Sequence, residues 1–138
     1  MKIIEFDNDH RRKHFHFFNS MDQPHFSLCG NVDASKLFTT LKKSGKSLSI
    51  PLVYILSSAA NSIPQFKWRI RENTIVEHDW VHPSFTVKTD VSEVFSFCEV
   101  KFYPDWKIFS VEAEKRIHAM KTNPVFEDEE GRDHSDHD

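Results

Sequence analysis

Nine histidines in a chain of 138 residues are the first candidates for chemistry. Imidazole titrates near neutrality, so it serves as a general base and as a metal ligand. Spacing decides which of the nine could act together. His14 and His16 are two residues apart and do not share a helical face. His78 and His82 flank Trp80 in a predicted loop. His134 and His137 lie among Asp133, Asp136 and Asp138 in an acidic run. A flexible cluster of that kind holds divalent metal weakly, whereas a specific site needs fixed geometry, so no metal site is expected. His134 and Asp138 also satisfy a bare HxxxD spacing. A general base must be held within hydrogen-bond reach of its substrate, and the unpatterned end of a chain does not hold it there. Cys29 and Cys98 are the two cysteines, with no CxxC spacing, which predicts two free thiols in a reduced, cytoplasmic protein. The chain has no P-loop, no GxGxxG and no GxSxG elbow.

Composition bounds the rest. With 38% hydrophobic residues, the chain is expected to form one domain of ordinary size. Thirteen phenylalanines is a high count, so some are candidates for lining a ligand surface, against the simpler reading that they fill the core. Residues 127–138 carry seven acids and one arginine, net −6 in a chain of net −3, so the residues before them carry +3. Neither part has the sustained basic stripe or the aromatic signatures of a nucleic-acid binder. Lys67, Arg69 and Arg71 fit a solvated strand face better than an anion site. The first residues lack the apolar run of a signal peptide, and no stretch approaches the ~18 apolar residues of a membrane span. No nucleic acid and no membrane are therefore expected as partners.

The elements that would position a site follow from periodicity. IIEF near the start fits a short strand, and RRKHFHFF from Arg11 to Phe18 a short helix ending at Asn19. His25 to Val32 alternates like a strand, with Phe26, Leu28 and Gly30 on one face. Asp33 is placed to cap a helix carrying Leu37, Phe38 and Leu41 inward, which Gly45 stops. Pro51 to Ile75 is the organising stretch. Leu52, Ile55, Leu56, Ala59 and Ile63 form one apolar helical stripe, expected to be buried. Pro51 suits its first turn and Pro64 ends it. Phe66, Trp68 and Ile70 then alternate with the basic residues, and Asn73 turns the chain into a second strand, Thr74 to His78. Phe85 to Lys88 and Val94 to Tyr103 are further strands, the latter with Val94, Ser96, Cys98, Val100 and Phe102 on one face and Phe95 and Phe97 on the other. Asp105 caps a last helix, Trp106 to Met120, with Phe109, Ala113, Ile117 and Met120 as its seam. The acidic run is expected to be disordered. The order predicts an α/β or α+β sheet with helices packed on it.

The ordered set of residues resembles the chloramphenicol acetyltransferase family. The likeness runs from Arg11-Arg12-Lys13-His14-Phe15-His16-Phe17-Phe18 through Phe26-Ser27-Leu28 and Val32-Asp33. It continues through Pro51 to Asn61, Phe66-Lys67-Trp68-Arg69-Ile70, Phe85-Thr86-Val87 and Phe95-Ser96, to Tyr103-Pro104-Asp105-Trp106 with Phe109. It covers roughly residues 1–124, leaving 125–138 as the acidic, histidine-containing tail. The resemblance implies an α/β two-layer sandwich of mixed β-sheet and helices, here incomplete at the C-terminus. It implies an acetyl-CoA-dependent O-acetyltransferase, with acetyl-CoA as co-substrate, a hydroxyl acceptor such as chloramphenicol, and a homotrimer with sites between subunits. Phe17, Phe18, Phe26 and Phe95 correspond to acceptor-pocket positions. Arg11 corresponds to an arginine that supports the catalytic motif by pairing with its aspartate. That motif, HHxxxDG, and the oxyanion serine lie beyond the region of likeness, so no catalytic residue is expected in this chain and the chain alone is expected to be inactive. The pair before Pro51 is Ser49-Ile50 where the family usually has aromatics beside coenzyme A. The alternative reading is a non-catalytic remnant that binds an aromatic ligand or a partner.

Overall fold

The structure, a computed structural model, describes residues 1–45, 47–91 and 93–125. The acidic run lies outside the described residues. The elements in order are β1 (Lys2–Ile4), α1 (Asp9–Asn19), α2 (Ser35–Ser44), α3 (Ser49–Ser62), a 3-10 turn (Pro64–Lys67), β2 (Trp68–Arg71), β3 (Thr74–Glu77), β4 (Ser84–Lys88), β5 (Phe95–Glu99) and α4 (Trp106–Thr122). This is the expected α/β architecture. Its strands form one antiparallel sheet in the order β1-β3-β2 and one antiparallel pair, β4-β5. Arg71 pairs with Thr74, which leaves Glu72 and Asn73 as a two-residue hairpin loop. Both have positive φ, 45° and 67°, the conformation that matches the twist of the flanking strands. β1 joins the far side of this hairpin, with Ile3 opposite Val76.

The core sits between α4 and the β4-β5 pair. Asp105 starts α4 by accepting the N–H of Lys107 at 2.7 Å and of Ile108 at 3.2 Å, which satisfies donors that the first turn leaves open. The expected seam is the one that packs: Phe109, Ala113 and Met120 are buried and Ile117 is half-buried against them. Ser96, Cys98, Val100 and Phe102 are also buried, so the expected alternation holds from Ser96 on, whereas Val94, just ahead of β5, is 49% exposed. The ladder itself stops at Glu99, and the Val100 N–H then donates to the Pro83 carbonyl at 3.1 Å. The outer edge of β5 is occupied by the chain after α4. Phe97 donates its N–H to the Val125 carbonyl at 3.0 Å, and Val125 donates its own to Ser96 Oγ at 2.8 Å.

The largest departure concerns α3. Its stripe of Leu52, Ile55, Leu56, Ala59 and Ile63 faces outward instead of into the core, with Leu56 61% exposed. The side that packs carries Ile50, Val53, Tyr54 and Ser57. Tyr54 decides this. Its ring meets Phe102, Trp106 and Phe109 at 5.2–6.2 Å, and its hydroxyl donates to the Pro104 carbonyl. A helix with no charged residue is apolar almost all round, so periodicity marks its widest stripe without saying which side has a neighbour.

Other expectations shift for local reasons. His25 to Val32 has no ladder: among the described residues no strand pairs with it, and Phe26 and Leu28 are each 91% exposed. Pro64 starts a 3-10 turn, so the strand begins at Trp68 and Phe66 is left outside. Ile70 is exposed while Arg69 is half-buried, because the Arg69 guanidinium folds back onto the Phe66 and Trp68 carbonyls. Phe38 is exposed on α2, whereas Leu37 and Leu41 turn inward. Asp33 lies one residue before the cap position but performs that function, accepting from the Ser35 hydroxyl and N–H. These bonds, the hydroxyl first, hold its carboxyl below the ordinary value. Gly45 takes the left-handed conformation, φ 65°, that ends α2.

The two cysteines are free, Cys29 exposed and Cys98 buried. Burial pushes the Cys98 thiol up, and the nearby Arg116 charge opposes this only in part. The fold therefore binds this proton more tightly than the unfolded chain does. That contribution is complete below the unfolded thiol's value and fades as pH rises past it toward the raised folded one. In the native protein, Ellman's reagent is expected to titrate one thiol quickly, and the second only in denaturant. Two fast equivalents from the folded protein would contradict the placement of Cys98.

Candidate functional site

The predicted site residues lie on separate elements. Phe17 and Phe18 end α1, with rings 5.3 Å apart and edge to face. Phe95 opens β5 and meets Phe97 in the same way at 5.5 Å. Phe26 lies in the stretch between α1 and α2. Among the described residues, no ring contact joins the two pairs or reaches Phe26. The structure thus does not bring the four into one closed pocket. It does settle whether they fill the core. Phe17 is 59% and Phe95 54% exposed, while the fully buried phenylalanine is Phe109. Leaving part of such a ring in water forgoes part of the ~1.5–3 kcal/mol that full burial is worth, so each of these side chains offers apolar area to a further contact.

Arg11 lies over two aromatic faces. Its guanidinium carbon is 5.2 Å from the Phe6 ring centre and 6.0 Å from that of Trp68, an arrangement that ties α1 to β2. Arg12 donates to the Phe6 carbonyl at 3.0 Å, and Asn19 donates to Asn73 Oδ1 at 2.8 Å. These contacts frame a cleft of 390 Å³ between β1, α1 and the hairpin loop, with Phe6, Arg12, Phe15, His16 and Asn73 in its walls. The cleft was not anticipated from sequence, and none of the four predicted phenylalanines lines it.

Two histidines bond backbone through a ring nitrogen. His14 Nδ1 donates to the His10 carbonyl at 3.0 Å. His82 Nδ1 accepts the Phe102 N–H at 3.0 Å, which fixes that nitrogen unprotonated. His78 is buried, and its backbone N–H donates to the Lys67 carbonyl. Among the described residues, no three side chains of His, Cys, Asp or Glu are grouped to hold a metal ion. Nor is any helix among them long and apolar enough to cross a membrane.

Two further placements bear on the site. Asn61 clamps the backbone of Val81: its Oδ1 accepts the Val81 N–H at 2.8 Å, and its Nδ2 donates to the Val81 and Ser57 carbonyls at 2.9 Å each. A lone amide on the inner side of an apolar helix is the sequence signal for such a clamp, though its partner 20 residues away is not legible. Ser49-Ile50 offers no stacking face for coenzyme A. Ile50 packs on the core, and the Ser49 N–H donates to Ser47 Oγ at 3.3 Å.

The fold and these placements can be set beside known proteins. The family model for chloramphenicol acetyltransferase matches residues 1–131. The chain belongs to the chloramphenicol acetyltransferase family. Among its relatives is Chloramphenicol acetyltransferase 2 of Escherichia coli, 29% identical over 106 residues, which are 77% of this chain and 50% of that protein. Chloramphenicol acetyltransferase 3 of Escherichia coli is 28% identical over 113 residues, 80% of this chain and 53% of that protein. A solved chloramphenicol acetyltransferase superposes with a TM-score of 0.75 at 27% identity, covering 86% of this chain and 56% of that one. The chain thus spans about half the length of the relatives it matches. Phe17, Phe18, Phe26 and Phe95 all fall within the matched region.

Proposed function

We propose that this chain contributes the acceptor side of an acetyl-CoA-dependent O-acetyltransferase acting on a hydroxyl compound such as chloramphenicol. The observation that carries this reading is the exposure of Phe17, Phe18, Phe26 and Phe95 in a chain of this family. Aromatic rings outside the core offer the stacking and edge contacts that suit a nitrophenyl group. Arg11, fixed over Phe6 and Trp68, positions the start of α1 and so the Phe17-Phe18 end of the same helix.

In the transfer, the acceptor oxygen forms the new ester bond to the acetyl carbon as the carbon–sulfur bond breaks. The hydroxyl proton passes to a base, and the electron pair leaves with sulfur. Two of the described histidines are not placed to be that base: His82 accepts the Phe102 N–H on Nδ1, and His78 is buried. In this reading the base, the oxyanion donor and the coenzyme A contacts come from outside the described residues. In the same reading the 138-residue chain by itself binds the acceptor weakly and does not turn over. The homotrimer that the resemblance implies belongs to the same proposal.

Two measurements on the purified chain test this. Saturation-transfer NMR is expected to show chloramphenicol contacting the chain, with the signal reduced several-fold in Phe17→Ala and in Phe95→Ala. Thiol release from acetyl-CoA is expected to be the same with and without chloramphenicol, after subtraction of the stoichiometric background from Cys29. Chloramphenicol-dependent release would refute the inactivity of the chain. Binding indifferent to both substitutions would refute the aromatic surface.

A further inference from the structure

Arg11 lies over two aromatic rings, and one of them is itself held by a third residue. Trp68 on β2 and Glu77 on β3 are directly opposite each other in the ladder, so their side chains share one face of the sheet. The Trp68 indole N–H donates to Glu77 Oε2 at 3.1 Å. The second oxygen of that carboxylate, Oε1, is 3.6 Å from Lys67 Nζ, and Lys2 on β1 is the register partner of Glu77 on its other side. Trp68 and Glu77 are both half-buried. The second torsion of a tryptophan is broad when nothing holds the ring, so a bond at the indole nitrogen sets the ring plane. That ring meets Phe6 edge-on, with centres 6.3 Å apart, and the Arg11 guanidinium lies over both. Arg11 stands in the first turn of α1, so whatever seats its guanidinium also sets the entry of that helix.

We propose that Trp68 and Glu77 are positioning residues for the acceptor surface. Glu77 holds the plane of the Trp68 indole, the indole seats Arg11, and Arg11 sets the direction of α1 and of the Phe17-Phe18 pair at its far end. This rests on the acceptor reading of Phe17 and Phe18 given above. The attraction of a cation for a ring acts over the face, and tryptophan offers the strongest face, so the tilt of the indole governs the contact. The part of Glu77 is to accept one hydrogen bond at one atom. A neutral amide oxygen at the same place therefore does the same work. α1 has further ties, from Arg12 to the Phe6 carbonyl and from Asn19 to Asn73. Loss of the Trp68 contact thus re-aims and loosens the helix without detaching it.

NMR of the full 138-residue chain reads each link. The Arg11 side-chain protons are expected upfield of those of the other arginines, shifted by the ring currents of Phe6 and Trp68. Glu77→Ala is expected to return them part of the way. Glu77→Gln, whose amide oxygen still accepts the indole N–H, is expected to restore them. Lys67→Met leaves that bond in place and is expected to leave the Arg11 signals unchanged. Trp68→Leu removes the ring and is expected to speed exchange of the α1 amide protons about two- to five-fold, the ratio that an exposed cation–π contact supports, with the circular dichroism spectrum unchanged. The Glu77→Ala and Glu77→Gln pair carries the same test should Trp68→Leu fail to fold. Saturation transfer from the chain to chloramphenicol is expected to fall by a similar factor in Trp68→Leu and Glu77→Ala, and not in Glu77→Gln. Arg11 signals and α1 exchange that ignore Trp68→Leu and Glu77→Ala overturn the proposal, as does a Glu77→Gln that behaves like Glu77→Ala. Chloramphenicol contact that is lost in Phe17→Ala but keeps its strength in Trp68→Leu overturns it too, with the acceptor surface left standing. No contact in the wild type, with Arg11 signals that still follow the series, defeats the acceptor reading and supports the seating of α1 by Trp68 and Glu77.

Discussion

Replacing Phe109 by alanine is expected to destabilise the protein by about 3–5 kcal/mol, the range for removing a buried aromatic ring when the cavity relaxes only in part. Phe109 is fully buried in α4, and its ring meets Tyr54 at 5.4 Å and Phe102 at 6.2 Å. It is therefore the point at which α3, α4 and the chain after β5 meet. A domain of this size has a total stability of about 5–15 kcal/mol, so the substitution removes a large share of it. Chemical denaturation followed by far-ultraviolet circular dichroism is the measurement. A loss below ~1 kcal/mol would mean that the α3–α4 contact is not the centre of the core. Phe109→Leu, which keeps most of the volume, is expected to recover most of the loss.

The second large effect is at Asn61. Asn61→Ala removes three hydrogen bonds and leaves the Val81 N–H and carbonyl without their partners. Each unmatched, partly buried group costs about 1–3 kcal/mol, and Val81 is half-buried, so a total of about 2–3 kcal/mol is expected. Asn61→Asp gives a sharper test. Its carboxylate can still accept the Val81 N–H but faces two carbonyl oxygens where the amide donated. The protonated carboxyl donates, so the folded state raises its pKa. Stability of Asn61→Asp should therefore be highest below the ordinary carboxylate range and fall as pH rises through the raised value. Thermal melts of wild type and Asn61→Asp at about pH 3 and pH 7, roughly either side of that range, are expected to differ less at the lower pH. A gap that widens on acidification would rule out the clamp.

The parts of the fold that were legible in sequence are those whose signals are local. Asp105 and Gly45 act through neighbouring backbone, so their capping and stopping functions follow from residue type alone. The Glu72-Asn73 loop and the α4 seam are equally local. What failed depended on which neighbour is present. Alternation at Phe26 and Leu28 shows that the segment could pair as a strand, but a strand exists only where another lies beside it. The stripe on α3 shows an apolar surface, yet its packing was decided by Tyr54 on the other side. The candidate site is mixed in the same way. The resemblance identifies Phe17, Phe18, Phe26 and Phe95 by position, and the structure finds them outside the core. Periodicity cannot separate an aromatic residue that fills a core from one that waits at a surface. The cleft beside Arg12 and His16 joins β1 to a hairpin far along the chain, a proximity that no local pattern encodes.

The pairing of β1 with β3 also bears on the order in which the molecule assembles. Ile4 meets Ile75, some seventy residues apart, whereas β2 and β3 are joined by a two-residue loop. Closing the long loop costs only modestly more entropy than closing a medium one, since the cost grows with the logarithm of length. Time is affected more strongly, because distant contacts must wait for a chance encounter that hairpin contacts do not need. The hairpin is thus the template and β1 the late arrival, a three-residue edge that is also the first to leave when the protein opens locally. The floor of the 390 Å³ cleft is made in part by β1, so that cleft exists only for as long as the last-formed strand stays in place.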